Sequence, residues 1–372
     1  MTYTLAFNSF KESLSAVELC RLGERAIRHA DPRARVIRAP VGDGGDGTME
    51  AMVAAAGERI IQIPALNPLF RPIQAPIGFI HNGRVAVIEM AKASGLALIS
   101  ARDRNPLKTT TFGTGLLMDA AMKRGAQEII LCIGGSATTD GGIGAAAALG
   151  FDFLDKTGCS IPLTGGGLAS LDRIVPPKKR ARVIVRAACD VRNPLYGKNG
   201  AAYVYGPQKG ATPAMVKELE AGLRRFARIV QRDLGISVAD REGAGAAGGF
   251  GAGIMAFFGG RLERGIDLVM RMSNLEQAIR RSDIVFTGEG AVDSQTVFGK
   301  APAGVAALCK KHRVPCIVIA GGVNEGAEVL YRHGVTAMFS IAPGPVTLDN
   351  CMKNAASYFS RTMTAVTRAI RK

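Results

Sequence analysis

Short apolar stretches alternate with helical patterns at both ends of the 372-residue chain, and this alternation constrains the fold more than any other feature. At the N-terminal end it predicts strands or helices over residues 3–7, 15–30, 35–39, 48–56 and 59–63. At the C-terminal end it predicts them over residues 284–287, 301–311, 316–320 and 337–341, before a long terminal helix. Repeated strand–helix units form a parallel sheet covered by helices, so we expect an α/β protein.

The middle of the chain breaks this rhythm. Apolar runs at 77–80 and 85–89 flank His81-Asn-Gly-Arg84, and Asn-Gly between two such runs is typical of a β-hairpin. Each terminal array supplies only about three strands, fewer than the roughly five of a typical sheet. We therefore predict one discontinuous domain, residues 1–72 with 283–372, interrupted by a mixed α/β domain at 73–282.

Composition restricts the class of protein. Hydrophobic residues are 47% and charged residues 21%, an ordinary globular mix rather than a disordered one. Seven cysteines without a C-x-x-C pair argue against a disulfide framework or a zinc ribbon. The N-terminus lacks a secretory signal pattern, and the uncharged stretch 243–260 is rich in glycine. We predict a cytoplasmic protein without a membrane span.

The net charge of +16 favours anionic partners. Nucleic acid is one such partner, but the sequence has no basic stretch with interleaved aromatic residues for base stacking. We interpret the basic stretch 178–182 and the basic C-terminal end at Lys372 as solvated surface. Small anionic substrates, rather than nucleic acid or membranes, are therefore the expected partners.

Two glycine-rich loops with acidic residues follow strands of the terminal arrays. Glu289 and Asp293 lie in a loop directly after the strand at 284–287, and Lys300 lies beyond them. Asp43 lies in a similar loop, residues 41–48. Since open α/β sheets bind ligands outside the carboxyl ends of their strands, we predict a site wall here. Glu289 or Asp293 would act as base, metal ligand or hydroxyl acceptor; the alternative is a solvated turn.

Two loops in the middle of the chain also place polar groups at strand ends. The loop Ile133-Gly-Gly-Ser-Ala-Thr-Thr-Asp140 offers backbone N–H groups and hydroxyls that would suit phosphate oxygens. Asp190 follows the strand predicted at 182–186, and Pro194 discourages a helix there. A carboxylate so placed could be a general base for an alcohol. Turns with capping side chains are the structural alternative.

The segment Gly243-Ala-Gly-Ala-Ala-Gly248 matches the G-x-G-x-x-G dinucleotide fingerprint, and Asp267 lies nineteen residues further on. The preceding residues, 237–242, are polar and do not predict the strand that the fingerprint requires. We therefore interpret the segment as a flexible or closely packed glycine loop. A nicotinamide-dependent oxidoreductase acting on a hydroxy acid is the alternative, and it rests on this match alone.

Taken together, these motifs closely resemble the type 1 glycerate kinase family, in order and from about residue 4 to residue 350. The matching segments are 9–15, 43–48, 88–96, 109–115, 134–142, 188–195, 206–210, 243–249 and 287–295. The resemblance implies ATP-dependent and magnesium-dependent phosphorylation of D-glycerate, usually to 2-phosphoglycerate. It also implies two α/β domains, one a discontinuous, doubly wound parallel sheet of Rossmann-like or flavodoxin-like type, with the active site in the cleft between them.

With this resemblance, the candidate residues receive expected roles. The catalytic residues would be Asp190 as base, Asp293 and Lys11. The glycerate-binding residues would be Ser13, Asp43, Glu289, Lys300 and Lys209. The ATP-binding residues would be Gly134, Gly135, Ser136, Thr138 and Asp140. Glu289 and Asp293 would also hold Mg²⁺, and each lysine could bind either a phosphate or the glycerate carboxylate.

Two residues depart from the pattern of this family. Asn8 follows Phe7 where Pro-Asp is usual, and an amide cannot supply a carboxylate's charge to a metal or a proton. Asp46 stands where Glu is more usual, one methylene shorter. The sequence leaves open whether the 2-hydroxyl or the 3-hydroxyl is phosphorylated, and whether the protein is a monomer or a homodimer.

Overall fold

The computed structural model describes residues 1–179, 182–297 and 299–371. Residues 180, 181 and 372 of the two predicted basic surfaces lie outside the described residues. The strands are β1 (Thr2–Phe7), β2 (Arg35–Arg38), β3 (Ile60–Leu66), β4 (Pro72–Ile80), β5 (Val85–Glu89), β6 (Glu128–Cys132), β7 (Asp152–Leu154), β8 (Arg173–Val175), β9 (Ile184–Ala188), β10 (Arg261–Glu263), β11 (Ile284–Gly288), β12 (Ala291–Val292), β13 (Cys316–Ala320), β14 (Gly322–Val323) and β15 (Ala337–Ser340).

The helices join these strands and cover the sheets. They are α1 (Ala16–Ala30), α2 (Thr48–Ala56), α3 (Ala91–Ser94), α4 (Phe112–Lys123), α5 (Ile143–Ala148), α6 (Ala201–Tyr205), α7 (Pro213–Leu234), α8 (Ala246–Phe258), α9 (Gly265–Met272), α10 (Leu275–Arg280), α11 (Ala301–His312), α12 (Val329–Arg332), α13 (Leu348–Lys353) and α14 (Ala355–Ile370). Among the described residues, no helix combines the length and the apolar character needed to cross a membrane.

The chain divides into two compact units. Unit 1 comprises residues 1–43, 50–58 and 264–372, and unit 2 comprises residues 44–49 and 59–263. These boundaries differ from the predicted 72/73 and 282/283. The strand β3 pairs antiparallel with β4 along its whole length, so residues 60–72 belong to the sheet of unit 2. At the other boundary, Ile266 and Leu275 pack into the core of unit 1 beside Val305.

Unit 1 is built on a parallel sheet with the strand order β2-β1-β11-β13-β15. Numbered within the unit, this order is 2-1-3-4-5, which is the flavodoxin-like arrangement. Helices α1 and α14 cover one face, where Leu19 and Phe359 pack on Ile317. Helix α11 covers the other face, where Val305 packs with Val318. The prediction of a discontinuous, doubly wound α/β sheet is therefore confirmed, in its flavodoxin-like form.

Unit 2 is built on a mixed sheet with the strand order β10-β9-β6-β5-β4-β3. The hairpin predicted around Asn82 is present: β4 and β5 pair antiparallel, and Ile80 lies opposite Val85. His81, Asn82 and Gly83 all have positive φ, which closes the turn. Strands β5, β6, β9 and β10 run parallel, so their carboxyl ends share one edge of the sheet.

Candidate active site

A cavity lies outside the carboxyl ends of the central strands of unit 1. Strands β1 and β11 are neighbours there, with Phe7 opposite Gly288, and the connections to the following helices diverge from this point. A crevice at such a switch point is where open α/β sheets bind ligands. The cavity has a volume of about 760 Å³. Its lining includes five residues predicted for the site, namely Lys11, Ser13, Asp43, Glu289 and Lys300.

Two carboxylates and one ammonium group meet at the β11 side of this cavity. The Nζ atom of Lys300 lies 3.6 Å from Oε1 of Glu289 and 3.8 Å from Oδ1 of Asp293. The Asp293 side chain also accepts the backbone N–H groups of Gln295 (2.8 Å) and Thr296 (3.1 Å). These bonds start the short 3-10 turn that follows, and they hold the Asp293 carboxylate in place.

Glu289 has an unusual proton affinity. Burial raises its pKa from 4.5 to about 7, although the neighbouring Lys300 opposes this shift. The nearby carboxylate of Asp43 adds to the rise, because two like charges disfavour each other's ionisation. Glu289 therefore changes its protonation near neutral pH, which is unusual for a carboxyl group and typical of functional sites.

The first strand end supplies the opposite wall. Asn8 is buried; its Oδ1 accepts the N–H of Ser9 (2.8 Å) and its Nδ2 donates to Oδ2 of Asp43 (3.3 Å). The amide that departs from the family pattern thus orients Asp43. Beyond it, Phe10 and Leu14 exchange backbone hydrogen bonds, which fold the loop carrying Lys11 back on itself.

The oxygen atoms of Glu289 and Asp293 fit a magnesium ion. Both carboxylates already converge on one cation, the ammonium group of Lys300. Mg²⁺ is commonly held by one or two carboxylates together with waters and substrate phosphates. Within the described residues no group of three or more His, Cys, Asp or Glu side chains could form a metal site on its own. Glu289 and Asp293 could therefore supply two of the ligands of a magnesium ion, and the remaining positions would fall to waters or other groups.

Unit 2 carries the second predicted site, the glycine-rich loop after β6. Lys209 is only 2% exposed and lies beneath this loop; its Nζ donates to Oγ of Ser136 (2.8 Å) and to the carbonyl oxygen of Thr138 (2.6 Å). Burial lowers the pKa of Lys209 to about 7, while the charge of Asp140 opposes that shift. Lys209 thus braces the loop, and its ammonium group is enclosed by protein.

Asp140 also stabilises this loop from within. Its carboxylate accepts hydrogen bonds from the N–H and the hydroxyl of Thr111 (2.8 Å each) and from the N–H of Gly142 (3.1 Å). Burial raises the pKa of Asp140, although these hydrogen bonds favour its charged form. Thr111 is not among the site residues predicted from the sequence, although it lies in the segment 109–115 that resembles the family.

Two hydroxyl groups of the same loop are buried without a hydrogen-bond partner among the described residues: Oγ1 of Thr138 and Oγ1 of Thr139. Buried polar groups are nearly always hydrogen-bonded, so an orphaned pair in one loop is unusual. Both threonines are fully buried, so these hydroxyls lie inside the loop, whereas Gly134 and Gly135 are exposed and their backbone N–H groups suit the oxygens of a phosphate group.

The G-x-G-x-x-G segment packs against this loop. A Cβ atom at Gly248 would lie 2.0 Å from the carbonyl oxygen of Thr138, and Gly248 itself accepts the N–H of Gly141 (3.2 Å). No strand of the described chain leads into this segment. Of the two predicted forms of this glycine loop, flexible or closely packed, the structure shows the closely packed one, and the described residues lack the strand that a dinucleotide fingerprint requires.

Asp190 follows β9 at the same sheet edge as this loop, because Ala188 pairs with Cys132 at the end of β6. The Asp190 side chain is exposed. The neighbouring Cys189 is unsuited to act as a nucleophile, since burial raises the pKa of its thiol. The predicted residues thus divide between unit 1 (Lys11, Ser13, Asp43, Glu289, Asp293, Lys300) and unit 2 (Gly134, Gly135, Ser136, Thr138, Asp140, Asp190, Lys209).

Sequence reasoning missed the apolar side of the unit 1 cavity. Ile341, Val346, Leu348 and Met352 line it, from the loop after β15 to helix α13. A signal was present, because residues 341–348 read Ile-Ala-Pro-Gly-Pro-Val-Thr-Leu and prolines and glycine keep such apolar residues in an exposed loop.

A lysine–carboxylate cavity at a flavodoxin-like switch point, together with a glycine-rich loop at a strand end, is typical of an α/β enzyme. The model of the glycerate kinase family matches residues 3–371, and the chain belongs to this family.

Known relatives cover the chain almost completely. Glycerate kinase from Bacillus subtilis is 45% identical over 100% of this chain and 98% of its own length. Glycerate 2-kinase from Escherichia coli is 44% identical over 95% of this chain and 94% of its own length. The crystal structure of a candidate glycerate kinase 2 from Salmonella typhimurium LT2 is 42% identical, with a TM-score of 0.90, and covers 100% of this chain and 98% of its own.

Proposed function

We propose that this protein transfers the terminal phosphoryl group of ATP to the 2-hydroxyl of D-glycerate, giving 2-phosphoglycerate and ADP. The family supports the kinase activity, and the relative from E. coli, a glycerate 2-kinase, supports the position. The observation that carries the proposal is the unit 1 cavity, where Lys11 and Lys300 lie beside Asp43 and Glu289. A small hydroxy acid needs both cationic partners for its carboxylate and acceptors for its hydroxyls.

In this proposal the two ends of glycerate are recognised by different groups. Lys11 and Lys300 would bind its carboxylate or the transferred phosphoryl group. Ser13, Asp43 and Glu289 would hydrogen-bond its hydroxyls. Lys209, whose ammonium group is enclosed by protein, would act by bracing the 134–142 loop rather than by touching glycerate.

The nucleotide would be held by the glycine-rich loop of unit 2. Backbone N–H groups of Gly134 and Gly135 and the hydroxyl of Ser136 would contact phosphate oxygens, while the buried Thr138 and Asp140 would keep the loop in shape. Glu289 and Asp293 would hold Mg²⁺, which when bound neutralises charge on the phosphates. Phosphoryl transfer relies mainly on positioning and on such charge stabilisation.

We propose Asp190 as the base that orients or deprotonates the attacking hydroxyl. Asp190→Asn should then lower kcat by about 10² or more, with a smaller effect on the KM for ATP. The matched control is Asp152→Asn, an exposed aspartate of β7 in the same unit. If kcat of the Asp190 variant stays within a few-fold of wild type, Asp190 is not the base.

The function itself is tested by coupling to enolase, which accepts 2-phosphoglycerate only. Purified protein is incubated with D-glycerate, ATP and Mg²⁺, and phosphoenolpyruvate is measured without and with phosphoglycerate mutase. Phosphoenolpyruvate without mutase supports the proposal. Phosphoenolpyruvate only with mutase would mean a glycerate 3-kinase, and no ADP release would mean a different substrate.

We further propose that the enzyme works in the cytoplasm as a monomer or homodimer, with glycerate and ATP as its partners and without nucleic acid. The family and the lack of a membrane-spanning helix in the described chain support this setting. Size-exclusion chromatography with light scattering distinguishes the two oligomeric states.

A further inference from the structure

One wall of the unit 1 cavity is apolar, although glycerate has no apolar group for it to bind. Ile341, Val346, Leu348 and Met352 line this wall, and we call them the apolar wall. Leu348 is 76% exposed and Val346 is 39% exposed. Met352 is half-buried and Ile341 belongs to the core of unit 1, so the exposed aliphatic surface is Val346 and Leu348 at the rim of the cavity. Exposed aliphatic side chains beside a ligand cavity can cover an apolar ligand group.

The apolar wall is fixed to the polar side of the same cavity. The hydroxyl of Ser13 donates to the carbonyl oxygen of Met352 (3.1 Å), and the N–H of Ile341 donates to the carbonyl oxygen of Ala320 at the end of β13 (2.9 Å). Thr347 caps helix α13 by accepting the N–H of Asn350 (3.3 Å). The wall is therefore a built part of the site rather than a loose surface loop.

Size and chemistry exclude glycerate as the occupant of this wall. A volume of about 760 Å³ is in the range of pockets for drug-sized ligands, whereas glycerate has three carbons and polar groups on each of them. Of the two proposed substrates, ATP alone carries a flat, weakly polar ring system that can cover aliphatic side chains. Lys11 and Lys300 on the polar side match the charge of the phosphates attached to that ring.

We infer that the apolar wall binds the adenine nucleoside of ATP, so that unit 1 recognises the base of the nucleotide in addition to glycerate. This inference rests on the proposed kinase function. It assigns nucleoside recognition to residues 341–352, outside every glycine-rich motif of the chain.

The test uses photolabelling of the intact protein with 8-azido-ATP, followed by peptide mapping. The inference predicts labelling within residues 341–355 that excess ADP prevents. Labelling of other segments only, labelling that ADP does not prevent, or no labelling would overturn it.

A second measurement is ADP affinity by calorimetry. Leu348→Ala should weaken ADP binding about tenfold, because truncation removes apolar contact with the base. The KM for glycerate should stay near the wild-type value. The side chain is mostly exposed, so the fold should tolerate the change, which thermal unfolding verifies.

The matched control is Tyr331→Ala, an exposed apolar residue of unit 1 outside the cavity lining. Equal ADP affinity in wild type and in Leu348→Ala would overturn the inference.

These outcomes separate the inference from the proposed function. A protein that phosphorylates glycerate with ATP but is labelled elsewhere contradicts the nucleoside subsite alone. A protein that binds ADP through the apolar wall but leaves glycerate unchanged contradicts the glycerate kinase function alone.

Discussion

Among single residues, Glu289 links the electrostatics of the cavity most directly to stability. Its pKa is about 7 in the folded protein and near 4.5 in an unfolded chain. Between these values the folded state keeps a proton that the unfolded state has released, so stability falls as pH rises through this window. Above pH 7 the free energy of unfolding is lower by about 3 kcal/mol, the full cost of ionising this buried carboxyl group.

Glu289→Gln removes this titration. Without ligands or metal, the variant should therefore unfold at a higher temperature than wild type at pH 8.5, and at a similar temperature at pH 4.5. Thermal unfolding across this pH range measures the effect. The exposed Glu242→Gln serves as control and should follow the wild-type profile. Parallel profiles for Glu289→Gln and wild type would show that burial does not perturb this carboxyl group.

Asn8 gives a second prediction for a single residue. In Asn8→Asp, a carboxylate replaces the amide that donates to Asp43, at a buried position. We expect a loss of about 1–3 kcal/mol of stability in metal-free buffer, from like-charge repulsion and the lost hydrogen bond. Because carboxylates are magnesium ligands, Mg²⁺ should stabilise this variant more than wild type.

A thermal-shift titration with magnesium chloride measures this response. The exposed Asn199→Asp is the control for a simple charge change. If Mg²⁺ shifts the unfolding temperature of wild type and of Asn8→Asp equally, the cavity carboxylates do not share a metal ion with position 8.

At the scale of elements, the start of helix α8 packs against the glycine-rich loop after β6, and its glycines make this close approach possible. Gly248 has a φ of +70°, and a Cβ atom there would collide with the backbone of Thr138. Gly248→Ala should therefore cost several kcal/mol, on the order of 3 or more, because backbone must move. Residual folded protein should bind ATP weakly.

Gly259 provides a matched comparison at the other end of the same helix. It also has a positive φ, +60°, but its Cβ would contact nothing within 4 Å. Gly259→Ala should cost only about 1 kcal/mol, the conformational strain alone. Urea unfolding of both variants separates steric collision from strain. Equal losses would mean that contact with the Thr138 backbone is not what requires glycine at position 248.

At the scale of the whole molecule, the sequence predicted what depends on local pattern. The strands at both ends, the turn at Asn82 and the glycine-rich loops at strand ends follow from residues close in sequence. The strand β3 shows the limit, because its apolar pattern does not say whether its neighbour is parallel or antiparallel. The burial of Lys209 depends on contacts with residues 136 and 138, more than seventy positions away, and no local signal reveals it.

The division into two units gives the last prediction. Unit 2 contains a complete sheet and two hydrophobic cores of its own, which include Ile63, Leu131 and Phe226. A fragment of residues 59–263, which leaves out residues 50–58 of unit 1, should therefore fold alone, with a cooperative thermal transition. A fragment with the boundaries expected from sequence, residues 73–282, lacks β3 and uncovers the edge of β4.

The same fragment carries Ile266 and Leu275, whose core partners belong to unit 1. An unpaired strand edge and exposed apolar side chains favour aggregation. We therefore expect fragment 73–282 to aggregate or to unfold without cooperativity, while fragment 59–263 stays soluble. Circular dichroism during heating, with light scattering, compares the two. If fragment 73–282 were the more cooperative, the pairing of β3 with β4 and the core contacts of α9 and α10 would contribute little to the stability of the two units.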